Sequence, residues 1–210
     1  MVPPMKADIP SATVARLPRY LRCLGDLATM ATSCSSDQLA VVAGGNAAQV
    51  RKDLSYIGSH GTRGVGYDVE ELMFTIRSVL GMNRNHPVVI VGAGNFGAAL
   101  TGYRGFANWG FEIVAILDID DHKIGSRIDG LTIESMERLE AIIEEKAVEI
   151  GIIATPASAA QLAADRLMDA GVRSILNLAP VVLMTEDDVS VRRVDISTEL
   201  GILAHHLSKP

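Results

Sequence analysis

Six consecutive residues, Gly92-Ala93-Gly94-Asn95-Phe96-Gly97, have the types and spacing to hold a dinucleotide. They follow the apolar run Val88-Val89-Ile90-Val91 and lead into helix-forming residues, the order strand, tight turn, helix. In that order Gly92 makes the turn, Gly94 lets the backbone approach a pyrophosphate, and Gly97 lets helix and strand pack closely. A helix beginning near Asn95 points its unbonded N–H groups and positive dipole end at the phosphates. Glycine spacing alone is a weak signal, because a glycine turn in any α/β sheet looks the same. Asp118 strengthens it: it ends the apolar run Ile113–Leu117 and stands 21 residues after Gly97. That is the spacing at which a carboxylate takes the ribose hydroxyls of NAD.

The elements that must position these residues read as alternating strands and helices. Strands are expected at 88–91, 113–117, 131–133, 149–154, 174–177 and 190–194, and helices at 95–103, 135–146, 158–170 and 197–207. Ser158-Ala159-Ala160-Gln161 has the spacing of a capping box, and Gly171 that of a helix stop. Such alternation argues for a parallel, doubly wound, Rossmann-like sheet, whose ligands sit beyond the carboxyl ends of the strands. Two strand ends, Ala154-Thr155-Pro156 and Asn177-Leu178-Ala179-Pro180, are therefore expected to flank the cofactor, with Thr155, Pro156, Asn177, Ala179 and Pro180 among its contacts.

The chain before this sheet reads differently. Arg16 to Met30 carries Leu17, Tyr20, Leu21, Leu24, Leu27 and Ala28 on one helical face, with Pro18 expected in the first turn. Ser35-Ser36-Asp37-Gln38 is a capping box opening a short helix to Ala43, which Gly44-Gly45 breaks. Asn46 caps the next helix, which stops at Gly58. Two short helices about a glycine turn form a helix-turn-helix, a shape also found in proteins that never touch DNA. The second helix presents Gln49, Arg51, Lys52, Ser55 and Tyr56 outward, donors suited to base edges and phosphates. His60 to Tyr67, with three glycines around Arg63, suits a tight hairpin, and a helix-turn-helix followed by a hairpin is a winged helix. Arg63 is then either a wing-tip contact to DNA or a solvated loop charge. Asp68 caps a last helix closed by Gly81, and Met82 to Pro87 reads as a linker.

Bulk properties narrow the classes. The 210 residues are 48% apolar and 21% charged, ordinary for a well-cored protein of one or two domains. No apolar run approaches the ~20 residues that span a membrane. Met1–Lys6 lacks the apolar core of a signal peptide, so a cytoplasmic protein is expected. The net charge of −6 is uneven: residues 1–85 carry nine Lys and Arg against seven Asp and Glu, the remainder ten against eighteen. The basic first segment keeps nucleic acid open as a partner. Cys23 and Cys34 have no metal-site spacing; packed core is the plain reading of Cys23, a redox thiol the other. No Ser/His/Asp order, metal cluster or Lys–Tyr pair accompanies the glycine turn, and His86, His122, His205 and His206 are poorly placed for catalysis. A nucleotide sensor without chemistry is expected rather than an enzyme.

The stretches Arg16-Leu17-Pro18, Gln49 to Tyr56 (QVRKDLSY), Gly61 to Asp68 (GTRGVGYD) and Ile175 to Pro180 (ILNLAP) resemble the Rex family of redox-sensing transcriptional repressors, over about residues 9–207. The resemblance implies a winged-helix domain at 1–82, a Rossmann domain binding NADH and NAD+ at 83–195, and a dimerising helix at 196–210 that swaps into the partner of a homodimer. It implies repression at an inverted-repeat operator and release by NADH, with neither metal nor membrane involved. Arg51 and Lys52 correspond to recognition-helix contacts and Arg63 to the wing contact. Tyr103 corresponds to a tyrosine that responds to cofactor state, Arg22 and Asp195 to residues coupling it between domains, and Ile196 to one covering the partner's nicotinamide. The rival reading is an NAD- or coenzyme-A-binding enzyme domain, whose nucleotide fold shares the Thr155-Pro156 and Pro180 layout but carries no winged helix.

Overall fold

The structure, a computed structural model, describes residues 9–207. The Met1–Lys6 start, the last three residues and the His206 side chain lie outside the described residues. The chain divides into two compact units, Met1–Arg84 and Asn85–Pro210.

In the first unit, helix α1 (Ser11–Leu27) is followed by strand β1 (Ser33–Cys34), helices α2 (Ser36–Ala43) and α3 (Ala47–Tyr56), strand β2 (Tyr67–Asp68) and helix α4 (Val69–Val79). Leu17, Leu24, Leu39, Leu54, Leu72 and Ile76 fill its core. The helix α1 begins five residues before the expected start, so Pro18 lies in its interior rather than its first turn. The stripe of buried residues continues upstream through Thr13, a polar residue whose burial its hydrogen bond to Asp53 makes tolerable. The helix-turn-helix caps form as their sequences dictate. Ser35 Oγ accepts from Gln38 N at 3.1 Å while Gln38 Oε1 accepts from Ser35 N at 2.8 Å. Asn46 Oδ1 accepts from Gln49 N at 2.8 Å.

The segment expected as a tight hairpin over 60–67 makes a very short one, an antiparallel bridge between Thr62 and Gly66. A small loop closes through Thr62 and Gly66, which exchange hydrogen bonds of 2.7 and 2.8 Å. The chain then enters β2, which pairs antiparallel with β1. A side chain at Gly66 would strike the Cys34 carbonyl, so this crossing requires glycine.

The second unit runs β3 (His86–Val91), α5 (Asn95–Thr101), β4 (Phe111–Asp118), β5 (Arg127–Ile128), β6 (Leu131–Ser135), α6 (Leu139–Glu145), β7 (Ile150–Ile153), α7 (Ala157–Asp169), β8 (Ser174–Asn177), β9 (Ser190–Arg193) and α8 (Ile196–Leu207). The sheet order is β5-β6-β4-β3-β7-β8-β9, parallel except where β5 meets β6. The chain proceeds outward from β3 on one side, then returns to β7 on the other, so the order reverses between β3 and β7. The loops after these two strands open into one crevice, the ligand position of such sheets. One sheet face buries Val89, Val91 and Leu117 against Leu139, Ile142 and Leu167 of the helices, and Val88, Ile90 and Ile116 lie on the other. Two expected features are corrected. Ser158 caps nothing, because Pro156, held at φ −56°, already turns the chain and α7 starts at Ala157. The helix expected over 135–146 opens instead as a short 3-10 turn, Met136–Arg138, capped by Ser135.

Candidate nucleotide pocket and nucleic-acid face

The glycine turn owes its shape to backbone crowding. Gly92 adopts φ +104°, and a Cβ there would lie 2.7 Å from the Ala154 carbonyl oxygen. A Cβ at Gly97 would collide with the Gly92 carbonyl. Gly94, by contrast, faces open space at the start of α5. The first turn of α5 closes with Ala98 N on Gly94 O, and no side chain caps it. Its leading N–H groups are thus left for a ligand. Ala93 is buried and its N–H goes to Asp118 Oδ2 at 2.8 Å, which ties the turn to the end of β4.

Asp118 is itself buried. Its other oxygen accepts from Asp120 N at 3.0 Å, and Lys123 Nζ approaches Oδ2 at 3.1 Å. Burial pushes its pKa up, but the Asp120, Lys123 and Ala93 donors outweigh that and hold it below the ordinary aspartate value. Lys123 went unnoticed in the sequence, where a lysine two residues past an acidic pair reads as surface charge.

Two cavities lie beyond the strand ends. The first, about 410 Å³, is walled by Gly92, Gly94, Asp118, Lys123, Pro156 and Leu162. The second, about 340 Å³, is walled by Phe96, Leu178, Pro180, Asp195 and Ile196. Ala154 and Thr155 line both, which makes one continuous run for an elongated ligand. The Thr155 hydroxyl is buried with no hydrogen-bond partner, a cost that a polar ligand group in the crevice would remove. Room at Gly94, an orphaned hydroxyl and a ribose-side carboxylate together fit a dinucleotide.

The remaining expected contacts divide. Asn177 is buried and gives Nδ2 to Val181 O at 2.8 Å while accepting from Ala179 N at 2.9 Å. Asn177 and Ala179 therefore shape the loop from behind, and Pro180 reaches the cavity. Asn95 opens α5 and Phe96 is largely exposed over the second cavity. Tyr103 lines neither cavity; it is half exposed, edge-on to Phe106 at 5.0 Å between ring centroids. Asp195 holds Arg193 at 2.8 Å and accepts from Ser197. The Ser197 and Arg193 donors bring its pKa down to about 2. Ile196 faces the cavity of its own chain, because β9 pairs parallel to β8 and delivers residues 195–196 to the same strand ends.

In the first unit, Arg51, Lys52 and Arg63 are exposed, and Arg22 is exposed on α1. A surface hollow of about 330 Å³ brings Arg51 and Arg63 together with Ser35 and Ser36 at the start of α2. Arg51 Nη1 donates to Ser36 Oγ at 2.8 Å, which aims the guanidinium along the helix-turn-helix surface. Ser55 donates to the Lys52 carbonyl and Tyr56 is half buried. Gln49 is turned inward, its Nε2 2.9 Å from Asp53. Asp53 was missed in the sequence. It is fully buried and receives Thr13, Tyr20, Gln49 and a two-pronged Arg16, at 2.6 to 2.9 Å. Burial would raise its pKa, yet Arg16, Tyr20, Thr13 and Gln49 hold it at about 2. The spacing Arg16–Tyr20 on one helix and Gln49–Asp53 on another, both i,i+4, was the signal available.

Comparison with known proteins agrees with this division. A family model described as "CoA binding domain" matches residues 83–181, and one described as "Putative DNA-binding protein N-terminus" matches residues 8–55. The redox-sensing transcriptional repressor Rex of Streptomyces avermitilis is 54% identical over 94% of this chain and 79% of its own length. That of Carboxydothermus hydrogenoformans is 47% identical, covering 96% of this chain and 97% of its own. Among solved structures, RSP in complex with NAD+ and operator DNA superposes with a TM-score of 0.89 at 35% identity, over 96% of this chain and 94% of that one. RSP in complex with NADH gives 0.87 at 34% identity, over 96% and 95%. Likeness of this extent covers both units, not the nucleotide fold alone: the chain belongs to the Rex family of redox-sensing transcriptional repressors.

Proposed function

We propose that this protein is a homodimeric repressor that binds an inverted-repeat operator through its winged helices and leaves it when NADH occupies the crevice of the second unit. The observation that supports this most is the presence, in one chain, of an exposed Arg51–Lys52–Arg63 face and a glycine-turn pocket that lacks a catalytic constellation. Among the described residues no His, Cys, Asp and Glu group is arranged for a metal, and no helix is long and apolar enough to cross a membrane. A repressor acting on operator DNA works in the cytoplasm. The Gly92–Gly97 turn holds the phosphates at Gly94 and Asn95, with Gly92, Ala93 and Gly97 shaping it from behind, Asp118 takes the adenosine ribose, and Thr155, Pro156, Phe96, Pro180 and Ile196 enclose the nicotinamide end.

The second cavity supplies the redox preference. Phe96, Leu178, Pro180 and Ile196 make its wall apolar, and Asp195 is neutralised by Arg193. Such a wall favours the uncharged reduced ring over the cationic oxidised one, whose burial without a partner is costly. A cofactor moves the protein off DNA only through a difference in affinity between two arrangements of the dimer. In the arrangement that favours NADH, the recognition helices no longer match their half-site spacing. Arg22, Tyr103 and Asp195 carry that coupling, and α8 exchanges between subunits.

A gel shift with an inverted-repeat probe at varied NADH/NAD+ ratio tests the proposal. Binding that falls as NADH rises supports it, and binding indifferent to the ratio contradicts it. Coenzyme A in place of NADH serves as the control for the enzyme-domain reading.

A further inference from the structure

The Gln161 side chain belongs to no helix cap. Its amide reaches from α7 to the segment that joins β8 to β9. That segment, residues 178–189, is a strap with neither helix nor strand. Val181 and Leu183 of the strap pack against the core, while Val182 and Met184 are exposed. Met184 N donates to Gln161 Oε1 at 2.9 Å, and Gln161 Nε2 donates to Met184 O at 2.9 Å. A side-chain amide that accepts from and donates to one residue's backbone replaces the rung that a neighbouring strand would supply. Nε2 also donates to Asp165 Oδ1 at 2.7 Å, one turn along α7, which fixes the orientation of the amide.

The strap carries one wall of the second cavity and leads to the other. Leu178 and Pro180 at its start line that cavity, and β9 beyond its end delivers Asp195 and Ile196 to the same place. Asn177 holds the first turn of the strap through Ala179 N and Val181 O, and Gln161 holds its middle. Gln161 itself lines neither cavity, and no strap residue walls the first one. Resting on the nucleotide reading above, we propose that Gln161 is a positioning residue for the nicotinamide end of the crevice. Its two-bond hold on Met184 sets the strap, and with it the Pro180 wall, before the cofactor enters. A wall set beforehand spares the cofactor the entropy of ordering it. The adenosine and phosphate contacts, made in the first cavity and at the glycine turn, do not depend on the strap.

Titration calorimetry of the full-length protein with NADH and with ADP-ribose, which lacks only the nicotinamide, tests this. Thermal melting of each ligand-free variant identifies any that unfolds. Gln161→Met keeps the length of the side chain and loses both bonds to Met184. It should weaken NADH about fivefold, the scale of one or two hydrogen bonds, and leave ADP-ribose within about twofold. Gln161→Glu keeps the acceptor for Met184 N and should show the same selective loss at smaller size. NADH affinity unchanged in folded Gln161→Met would overturn the proposal. So would NADH and ADP-ribose weakening together, the mark of general damage to the second unit. Should Gln161→Met unfold, Gln161→Glu carries the same comparison, and the same two results overturn the proposal. A wild type that binds neither ligand would overturn the pocket assignment together with it.

Discussion

Asp53 links helix α3 to α1 through a fully buried carboxylate with five donor contacts. Its replacement by alanine leaves Thr13, Tyr20 and Gln49 without their acceptor, and should cost the first unit about 2–4 kcal/mol, Arg16 turning partly to water. Denaturant melting of the full chain would measure it, and a loss below 1 kcal/mol would contradict the role given to the network. The pH dependence has a fixed sign. The folded pKa of about 2 lies under the ordinary 3.8, so the unfolded chain takes the proton more readily in acid. The contribution is complete above pH 4 and is lost as pH falls toward 2, and Asp53→Asn should flatten that acid limb. On the outer face, Lys52→Ala and Arg63→Ala should abolish operator binding at moderate salt with NADH affinity unchanged. Where residual binding is measurable, each lost phosphate contact lowers the slope of log K against log salt by about 0.9. Normal operator binding by both variants would contradict the DNA face.

At the scale of elements, α8 has the most consequence for assembly. Leu200, Ile202, Leu203 and Leu207 are each more than half exposed, an apolar content out of keeping with a helix left in water. In the homodimer proposed above, these residues are buried against the second copy. Leu200→Glu with Leu203→Glu should turn a dimer into a monomer by light scattering and lose the cooperative use of both operator half-sites. A double variant that stays dimeric would rule out α8 as the dimer contact. The elements also show where residues speak for themselves and where they do not. The caps at Ser35, Asn46 and Asp68 follow from local chemistry, because a side chain within three residues decides them. The two-residue strands β1 and β2 pair across more than thirty residues of chain, and two residues show no alternation to read. The early start of α1 hid for a related reason. Its added turn buries Thr13, which is apolar in no scale and needs Asp53 of another helix to be buried at all. The glycine turn and Asp118 were legible in the pocket, but Lys123 and the orphaned Thr155 hydroxyl depend on loop geometry that spacing does not contain.

The whole molecule joins a nucleotide crevice to a DNA-binding face in one chain, and its function lies in the free energy that couples them. Coupling between two binding sites is reciprocal: if NADH weakens the grip on operator, operator must weaken the grip on NADH by the same factor. A coupling of about 1–3 kcal/mol, typical of such linkage, corresponds to about 5- to 150-fold in each direction. The most direct test is the dissociation constant of NADH measured with and without saturating inverted-repeat operator at fixed salt. The account predicts weaker NADH binding in the presence of operator, by the factor that NADH costs operator affinity. Equal NADH affinity in the two conditions would contradict it.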